Sequence, residues 1–552
     1  MRLLAALLLF VAAALPLSVE TARAQTAPPT RADTLRGTVT PERAWWDVTH
    51  YDLAVRVDPA TRSIRGKVDV TFRTVQPART MQIDLQQPLV LDAATLGGAA
   101  LPVRRDGNAL FVTLPSAPRA GEMRTVTLAY HGTPRAAANA PWDGGFVWAT
   151  DSLGRPFVAT AVQGLGASAW WPVKDTQADE PDSQRIAITV PRGLTNVSNG
   201  RLRQTVQNAD GTTTFVWAVV SPINTYNVAV NAAHYAHFSG TYAGEAGPLS
   251  LDYYPLDYNL AKARRQFEQV RPMLQCFEHW FGPYPWYEDG FKLVETPHLG
   301  MEHQSAVAYG NGYRNGYRGR DLSGTGTGLS WDFIIVHEAA HEWWGNSLTS
   351  DDVADMWVHE SFANYAENLY AGCQQGDAAG QRYVVGTRRS IQNDRPIVGP
   401  FGVAQEGSGD MYYKGGNLLH TIRHLLGDDV RWRATLRGAQ ARFRHQTLTG
   451  AALRQYLAEA TGLDLAAVFE QYLETTKVPV LDVRLDGRTL FYRWANVVDG
   501  FAMPVDVTLA DGTYTRLTPT ASWQATASSL RSVADVRVHD AYYVTVHRIA
   551  TP

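Results

Sequence analysis

Two histidines and two glutamates near the middle of the chain have the types and spacing of a metal site. His337 and His341 are four residues apart, so a helix would stack them on one face, one turn above the other. Glu338 could then reach a water on a shared ion, and Glu360 follows His341 after 18 intervening residues. A second helix returning past the first would bring Glu360 in as the third ligand. Two imidazoles, one carboxylate and an open fourth position describe a catalytic Zn²⁺ rather than a structural one.

Two buried helices must position these ligands. The apolar residues from Phe333 to Val336 predict a buried first helix, which Ser330 could cap and Gly345 could end. A further helix is expected around Glu360–Tyr370. The alternative is a pair of core histidines on a buried helix, with Glu338 bonded to something nearby and no chemistry.

The composition is that of an ordinary globular protein. The 552 residues are 45% hydrophobic and 19% charged, enough for three or four domains. The formal net charge of −3 gives no indication of binding to nucleic acid or to an anionic membrane surface. Cys276 and Cys373 are too few for a cysteine-rich zinc site, and the sequence leaves open whether they pair.

The N-terminus has the pattern of an export signal. Arg2 precedes an apolar run of 15 residues, Leu3 to Leu17, and Ala22-Arg23-Ala24 fits a small-x-small cleavage site. We therefore expect residues 1–24 to be a signal peptide and the mature protein to be periplasmic or extracellular. An uncleaved anchor is the alternative, although the run is shorter than the roughly 20 residues of a membrane span. No later stretch is apolar enough, so no stable membrane span is expected after cleavage.

The hydrophobic pattern divides the remaining chain into domains. Residues 25–37 are rich in Thr, Pro, Ala and Arg and are expected to be a flexible leader. Alternating apolar positions over 38–254 predict an antiparallel β domain. Helical spacing dominates 255–477, and alternation returns over 478–552, which suits a small β-sandwich. The predicted fold class is multidomain α+β.

Two longer motifs extend the metal pattern. The stretch from His337 to Asn346, HEAAHEWWGN, closely resembles the zinc helix of the gluzincin aminopeptidases, the M1 metallopeptidase family. The stretch from Trp357 to Glu367, WVHESFANYAE, resembles the same family's WLNEGFASYxE, with His359 and Ser361 in place of Asn and Gly. The resemblance implies a thermolysin-like α/β catalytic domain with one Zn²⁺ per chain. It also implies a three-domain form without the C-terminal helical domain of many members.

Two further segments imply substrate-binding residues. Gly300-Met301-Glu302-His303 is similar to the family's GxMEN signature, with His303 in place of Asn. That motif lies on a strand edge, where its backbone pairs with the substrate and its glutamate binds the substrate's free α-ammonium, so the resemblance assigns Gly300, Met301 and Glu302 to substrate binding. Thr160-Ala161-Val162-Gln163 resembles the segment that supplies a second amine ligand, here Gln163.

Two more roles follow from the resemblance. Tyr412-Tyr413-Lys414-Gly415-Gly416 resembles the family's YxKGA segment, in which the tyrosine donates a hydrogen bond to the oxyanion. The register favours Tyr412, although residue types alone would leave Tyr413 open. Glu367 lies two turns after Glu360 and is expected to orient a zinc-bound histidine, with Asp355 as the alternative.

Together these residues predict an exported zinc aminopeptidase that acts on peptides with a free N-terminus. Zn²⁺ on His337, His341 and Glu360 would activate a water for which Glu338 is the general base. A catalytically silent binding scaffold, an endopeptidase of the wider HExxH group and, more distantly, an epoxide hydrolase are the alternatives.

Overall fold

The computed structural model of the chain describes residues 28–510 and 512–550. The predicted signal peptide, residues 1–24, lies outside these residues. Within the described part, no helix combines the length and the apolar character needed to cross a membrane.

The first domain consists of antiparallel sheets, as predicted. Its strands are β1 Trp46–Asp58, β2 Ser63–Thr74, β3 Thr80–Asp84, β4 Val90–Leu96, β5 Ala99–Ala100, β6 Val103–Asp106, β7 Ala109–Thr113, β8 Met123–Gly132, β9 Gly145–Thr150, β10 Pro156–Ala161, β11 Ser183–Pro191, β12 Thr195–Val197, β13 Arg201–Gln207, β14 Thr212–Val219 and β15 Asn231–Ala233. They form an eight-stranded sheet (β13-β14-β11-β1-β2-β8-β4-β5), a three-stranded sheet (β3-β7-β6) and a four-stranded sheet (β12-β15-β10-β9). Only the β1–β11 pair of the large sheet is parallel among these described strands. The four-stranded sheet matters most for the site, because β10 leads directly to Gln163.

The segment predicted as a flexible leader contains helical structure among the residues that the structure describes. Helices α1 Arg31–Gly37 and α2 Pro41–Ala44 precede β1. Thr30 and Asp33 form a reciprocal capping box at the start of α1. The Arg36 guanidinium donates to the carbonyl of Gly164 at 2.7 Å, and the hydroxyl of Thr38, just after the leader, donates to the carbonyl of Gly402 at 2.8 Å. Local capping and these tertiary bonds outweigh a composition that is typical of loose segments.

The catalytic domain begins earlier than predicted. Its sheet contains β16 Phe238–Gly244, β17 Gly247–Tyr254, β18 Phe291–Glu295, β19 Gly300–Met301 and β20 Val307–Tyr309, in the order β16-β17-β18-β20-β19. Because β17 pairs in parallel with β18, the hairpin of β16 and β17 belongs to this sheet. The predicted boundary between residues 254 and 255 therefore falls too late, and sheet pairing places it after β15.

Helices surround the predicted metal ligands. They are α3 Leu260–Gln266, α4 Val270–Phe281, α5 Phe333–Ala340, α6 Trp357–Gln375, α7 Asp377–Thr387, α8 Tyr413–Leu426, α9 Asp429–Phe443, α10 Gly450–Thr461 and α11 Ala466–Phe469, with a small sheet of β21 Leu348–Ser350 and β22 Gln446–Leu448. Asp332, not Ser330, caps α5, because its carboxylate accepts from the backbone N–H groups of Ile334 and Ile335. The Ser330 hydroxyl instead donates to the carbonyl of Thr327.

A disulfide joins Cys276 on α4 to Cys373 on α6, with their Cα atoms 6.1 Å apart. The sequence left this pairing open. The bond attaches the helix that carries Glu360 to its neighbour in the core.

The last residues form two small sheets. Their strands are β23 Val480–Asp486, β24 Thr489–Ala495, β25 Val505–Ala510, β26 Thr513–Leu517, β27 Gln524–Ala527 and β28 Thr545–Arg548, in a four-stranded sheet (β27-β24-β23-β28) and a two-stranded sheet (β25-β26). The apolar side chains of Leu481, Val483 and Val505 belong to the same buried cluster as the catalytic helices. These sheets are thus an extension of the catalytic core, and the predicted sandwich arrangement stays a prediction.

Candidate active site and metal centre

His337, His341 and Glu360 meet where α5 packs on α6. The Nε2 atoms of the two imidazoles lie 3.5 and 3.4 Å from Glu360 Oε2. All three side chains are buried, and Glu360 Oε2 has no hydrogen-bond partner among the described residues. Ligand atoms about 2.0–2.2 Å from a tetrahedral Zn²⁺ are roughly 3.3 Å apart, so the spacing and the orphaned oxygen fit that ion.

The far sides of the two imidazoles are held by acceptors. His337 Nδ1 is 2.7 Å from Glu367 Oε1, and His341 Nδ1 is 2.9 Å from the carbonyl oxygen of Trp344. These bonds turn both Nε2 atoms toward Glu360 and place a ring proton on Nδ1, which leaves Nε2 for a metal when the second proton is lost. Tyr383 also donates to Glu367, at 2.7 Å, so the carboxylate itself is fixed.

Asp355, the alternative orienting acid, has other partners. Its carboxylate accepts from the indole N–H of Trp357 at 2.9 Å and from the backbone N–H of Gly450 at 2.8 Å. The structure therefore favours Glu367 as the positioning residue.

Glu338 lies beside the metal ligands and in the cleft. Burial raises the pKa of its carboxyl to about 7, and the carboxylates of Glu302 and Glu360 add to the rise. A cation on the three ligands would oppose this shift. A Cβ at Gly300 would lie 2.6 Å from Glu338 Oε1, so the glycine leaves room for the carboxylate.

A second group of polar side chains, here called the amine corner, consists of Glu302, Gln163 and Tyr226. Glu302 Oε1 accepts from Gln163 Nε2 at 2.6 Å and from the Tyr226 hydroxyl at 3.0 Å. Glu302 follows β19, the edge strand of the catalytic sheet, whereas Gln163 and Tyr226 come from the β domain. The corner also lies close to the predicted metal ligands, since single atoms of Glu302, Glu338 and His341 are all within 4.8 Å of one another.

Tyr412 faces the metal ligands from the start of α8. Its ring centre is 6.0 Å from that of His337. Burial raises the pKa of its hydroxyl well above the usual value, and the carboxylates of Glu360, Glu406 and Glu302 reinforce this effect, so the group keeps its proton. The charge that most raises the pKa of Tyr413 is that of Glu367, which lies on the far side of His337 from the other two metal ligands. Tyr412 is therefore the better placed of the two tyrosines.

These groups line one large cleft between the β domain and the catalytic domain. Its volume is about 900 Å³, and its walls include the three metal ligands, Glu338, Glu302, Gln163 and both tyrosines. Gly300 and Met301 also line it, so the edge strand β19 is open to a ligand in the cleft. Pro28, Thr30 and Asp33 of the leader contribute to the rim.

Family models match both domains. The model described as the peptidase family M1 domain matches residues 265–472, and the peptidase M1 N-terminal domain matches residues 48–227. The two matches together cover more than two thirds of the chain. The chain belongs to peptidase family M1. The family predicted from the two motif stretches is thus confirmed, and Zn²⁺ is the ion that both the M1 membership and the donor set indicate.

Curated relatives of this M1 chain include aminopeptidases. Aminopeptidase B of Rattus norvegicus is 23% identical over 448 residues, which cover 73% of this chain and 64% of that protein. Aminopeptidase N of Lactococcus lactis subsp. lactis is 30% identical over 174 residues, which cover 28% of this chain and 20% of that protein. The chain thus spans less than two thirds of the length of either relative.

Solved structures show the same M1 fold. An M1 zinc metallopeptidase from Deinococcus radiodurans, solved as a mutant, superposes with a TM-score of 0.66 at 21% identity. The alignment covers 81% of this chain and 98% of that one. The same mutant bound to a Tyr-Ser-Ala substrate also has a TM-score of 0.66.

Two departures from the usual M1 motifs have structural explanations. The imidazole of His359 accepts from the backbone N–H of Ser350 at 2.9 Å, behind the metal site. Ser361 donates to the carbonyl of Met411 at 2.7 Å and lies against Gly415, where a Cβ would meet its hydroxyl at 1.9 Å. Neither residue occupies a ligand position.

Sequence reasoning missed Tyr226. The residue stands in no recognised motif, and it reaches Glu302 only because a short helical turn, Thr225–Asn227, lies under the catalytic domain. No spacing in the sequence indicates that contact.

Proposed function

We propose that this M1 chain is an exported zinc aminopeptidase, which removes N-terminal residues from peptides. The observation that carries the proposal is the amine corner beside the metal ligands. A buried carboxylate, held by Gln163 and Tyr226 at the end of an open strand edge, is suited to a substrate's α-ammonium. A peptide anchored there has its first peptide bond close to the metal.

The metal ligands are His337, His341 and Glu360. Zn²⁺ held by them supplies Lewis acidity toward a peptide carbonyl and lowers the pKa of water. Glu367 and the Trp344 carbonyl keep the two imidazoles in place, so the ligand set is preorganised.

Glu338 is the general base. Its carboxylate takes a proton from the attacking water and delivers it to the leaving amine. Its position beside Gly300 brings it close to the edge strand along which the substrate backbone would lie.

Tyr412 stabilises the oxyanion. Its hydroxyl keeps its proton and can donate a hydrogen bond to the oxygen of the tetrahedral intermediate, a contact of a type that contributes about 3–4 kcal/mol.

Export is part of the proposal. It rests on the charged, apolar and small-residue pattern of residues 1–24. The Cys276–Cys373 disulfide is consistent with an oxidising compartment. N-terminal sequencing of the protein recovered from the periplasm or medium should begin at Gln25. Recovery of the chain with Met1 intact would contradict cleavage.

Hydrolysis of an aminoacyl reporter tests the activity. We expect turnover that a chelator abolishes and that stoichiometric Zn²⁺ restores, with one ion per chain by elemental analysis. A chain that binds Zn²⁺ but hydrolyses neither reporters nor peptides would instead support the scaffold alternative.

A further inference from the structure

Glu406 is a carboxylate in the cleft that the mechanism above does not use. It stands on the loop between α7 and α8 and lines the same cavity as the metal ligands. A Cβ on Gly164, the residue after Gln163, would lie 3.9 Å from Glu406 Oε1. The Glu406 carboxylate thus lies next to the residue that follows Gln163, whose side chain donates to Glu302 in the amine corner.

Among the described residues, none forms a hydrogen bond or salt bridge with the Glu406 carboxylate, and only long-range charges act on it. The cations in range are Arg36 and Arg395, but neither forms a hydrogen bond or salt bridge with it. Arg36 donates to the carbonyl of Gly164 at 2.7 Å, and Arg395 donates to the carbonyl of Gly407 at 2.9 Å. Both guanidinium groups are thus held on backbone oxygens.

Another acid of the cleft provides a contrast. The carboxylate of Asp143, which also lines the cavity, accepts from the backbone N–H groups of Ala138 at 2.6 Å and Asn139 at 2.9 Å. These bonds contribute to a lowered pKa, so Asp143 is a loop-stabilising acid. Glu406 differs because burial and the charges of Glu360 and Glu302 raise its pKa to about 7. A buried carboxylate without a bonded cation is stabilised most when a mobile cation enters the cleft and pairs with it.

A substrate can bring such a cation to this place. The α-ammonium and the first side chain are attached to the same carbon. When Glu302 binds the α-ammonium of a peptide, the first side chain therefore starts beside the amine corner. We propose that Glu406 binds the positive end of a lysine or arginine side chain on the first residue of the peptide. Glu406 is then a specificity-determining residue that favours basic N-terminal residues. This inference rests on the proposed aminopeptidase function.

The test compares lysyl and norleucyl reporters, which have straight side chains of similar length with and without a charge. In the unmodified chain, kcat/KM should be higher for lysine. Glu406→Gln should lower the lysine-to-norleucine ratio by about 10-fold or more, the range of a lost hydrogen bond to a charged group. Norleucine turnover should change little, and Glu406→Asp should restore part of the ratio.

Asp143→Asn is the matched control, because it removes an acid of the same cleft that already has partners. We expect it to leave the ratio within about twofold of the unmodified value, since the long-range effect of an exposed charge is small. An equal loss in this control would assign the preference to the overall charge of the cleft and overturn the role of Glu406.

Other outcomes are equally decisive. An unchanged ratio in Glu406→Gln, in a variant with unchanged thermal unfolding, would overturn the inference while leaving the proposed function intact. Equal losses on lysine and norleucine would assign Glu406 to α-ammonium binding and overturn side-chain recognition. If the unmodified zinc-loaded chain hydrolyses no aminoacyl reporter, the proposed function fails and this inference fails with it.

Discussion

The two walls of the cleft are built in different ways. The metal wall takes His337, His341 and Glu360 from two packed helices within 24 residues of sequence. The amine corner takes Gln163, Tyr226 and Glu302 from two domains and three separate chain segments, spread over about 140 residues.

This difference suggests that one wall carries out peptide-bond hydrolysis and the other selects the substrate. In the proposed mechanism the metal wall would act on any peptide bond placed next to it, whereas the amine corner would decide which bond is placed there. Damage to the metal wall should therefore affect all substrates equally, and damage to the amine corner should affect substrates with a free amine. Four substitutions test this separation.

Glu338→Gln should lower kcat by about 10²–10⁴-fold, the usual contribution of a general base. Zn²⁺ stoichiometry should remain one per chain, because Glu338 is not a ligand. The loss should be the same for all first residues. Full activity in a correctly folded, zinc-loaded variant would remove Glu338 from the base role.

Tyr412→Phe should lower kcat by about 10²–10³-fold with little change in KM, because an oxyanion donor acts in the transition state. Tyr413→Phe is the matched control, as the adjacent tyrosine lines the same cleft. A larger kcat effect at Tyr413 would transfer the role to that residue.

Glu367→Gln should weaken Zn²⁺ binding by about 10–100-fold, because the amide orients His337 less well than a carboxylate. Competition with a chromophoric chelator measures this affinity. Asp355→Asn serves as the control, since its carboxylate bonds to Trp357 and Gly450 and should leave the affinity unchanged. Equal weakening in both variants would point to a general loss of packing around α6.

Tyr226→Phe should raise KM for free-amine substrates by about 10-fold, because Glu302 loses one charge-assisted hydrogen bond and is less well positioned. Zn²⁺ affinity should not change. Tyr235→Phe is a suitable control, as this tyrosine donates to the carbonyl of Glu295 away from the amine corner. A kcat loss without a KM effect would place Tyr226 in the chemical step.

The contrast between the two walls also explains what the sequence could predict. The ligands His337 and His341 follow from one helical period, and Glu360 from the return of the next helix, so local pattern sufficed for the metal wall. Tyr226 depends on how two domains dock, and no local period encodes that contact. The Cys276–Cys373 pair likewise depends on how α4 and α6 pack.

Two differences from the predicted domain organisation have separate causes. The strands β16 and β17 alternate like those of the β domain, because a strand has the same period whichever sheet it joins. The leader was expected to be flexible because of its composition, although Thr30 and Asp33 have the spacing of a capping box that could have indicated α1.

We propose that the carboxylate of Glu302 makes this zinc enzyme an aminopeptidase. The most direct measurement compares kcat/KM for a peptide with a free N-terminus and for its N-acetylated form, in the unmodified chain and in Glu302→Ala. We predict a strong preference for the free amine that largely disappears in the variant, at unchanged Zn²⁺ content. Cleavage of the acetylated peptide at a similar rate by the unmodified chain would contradict this account.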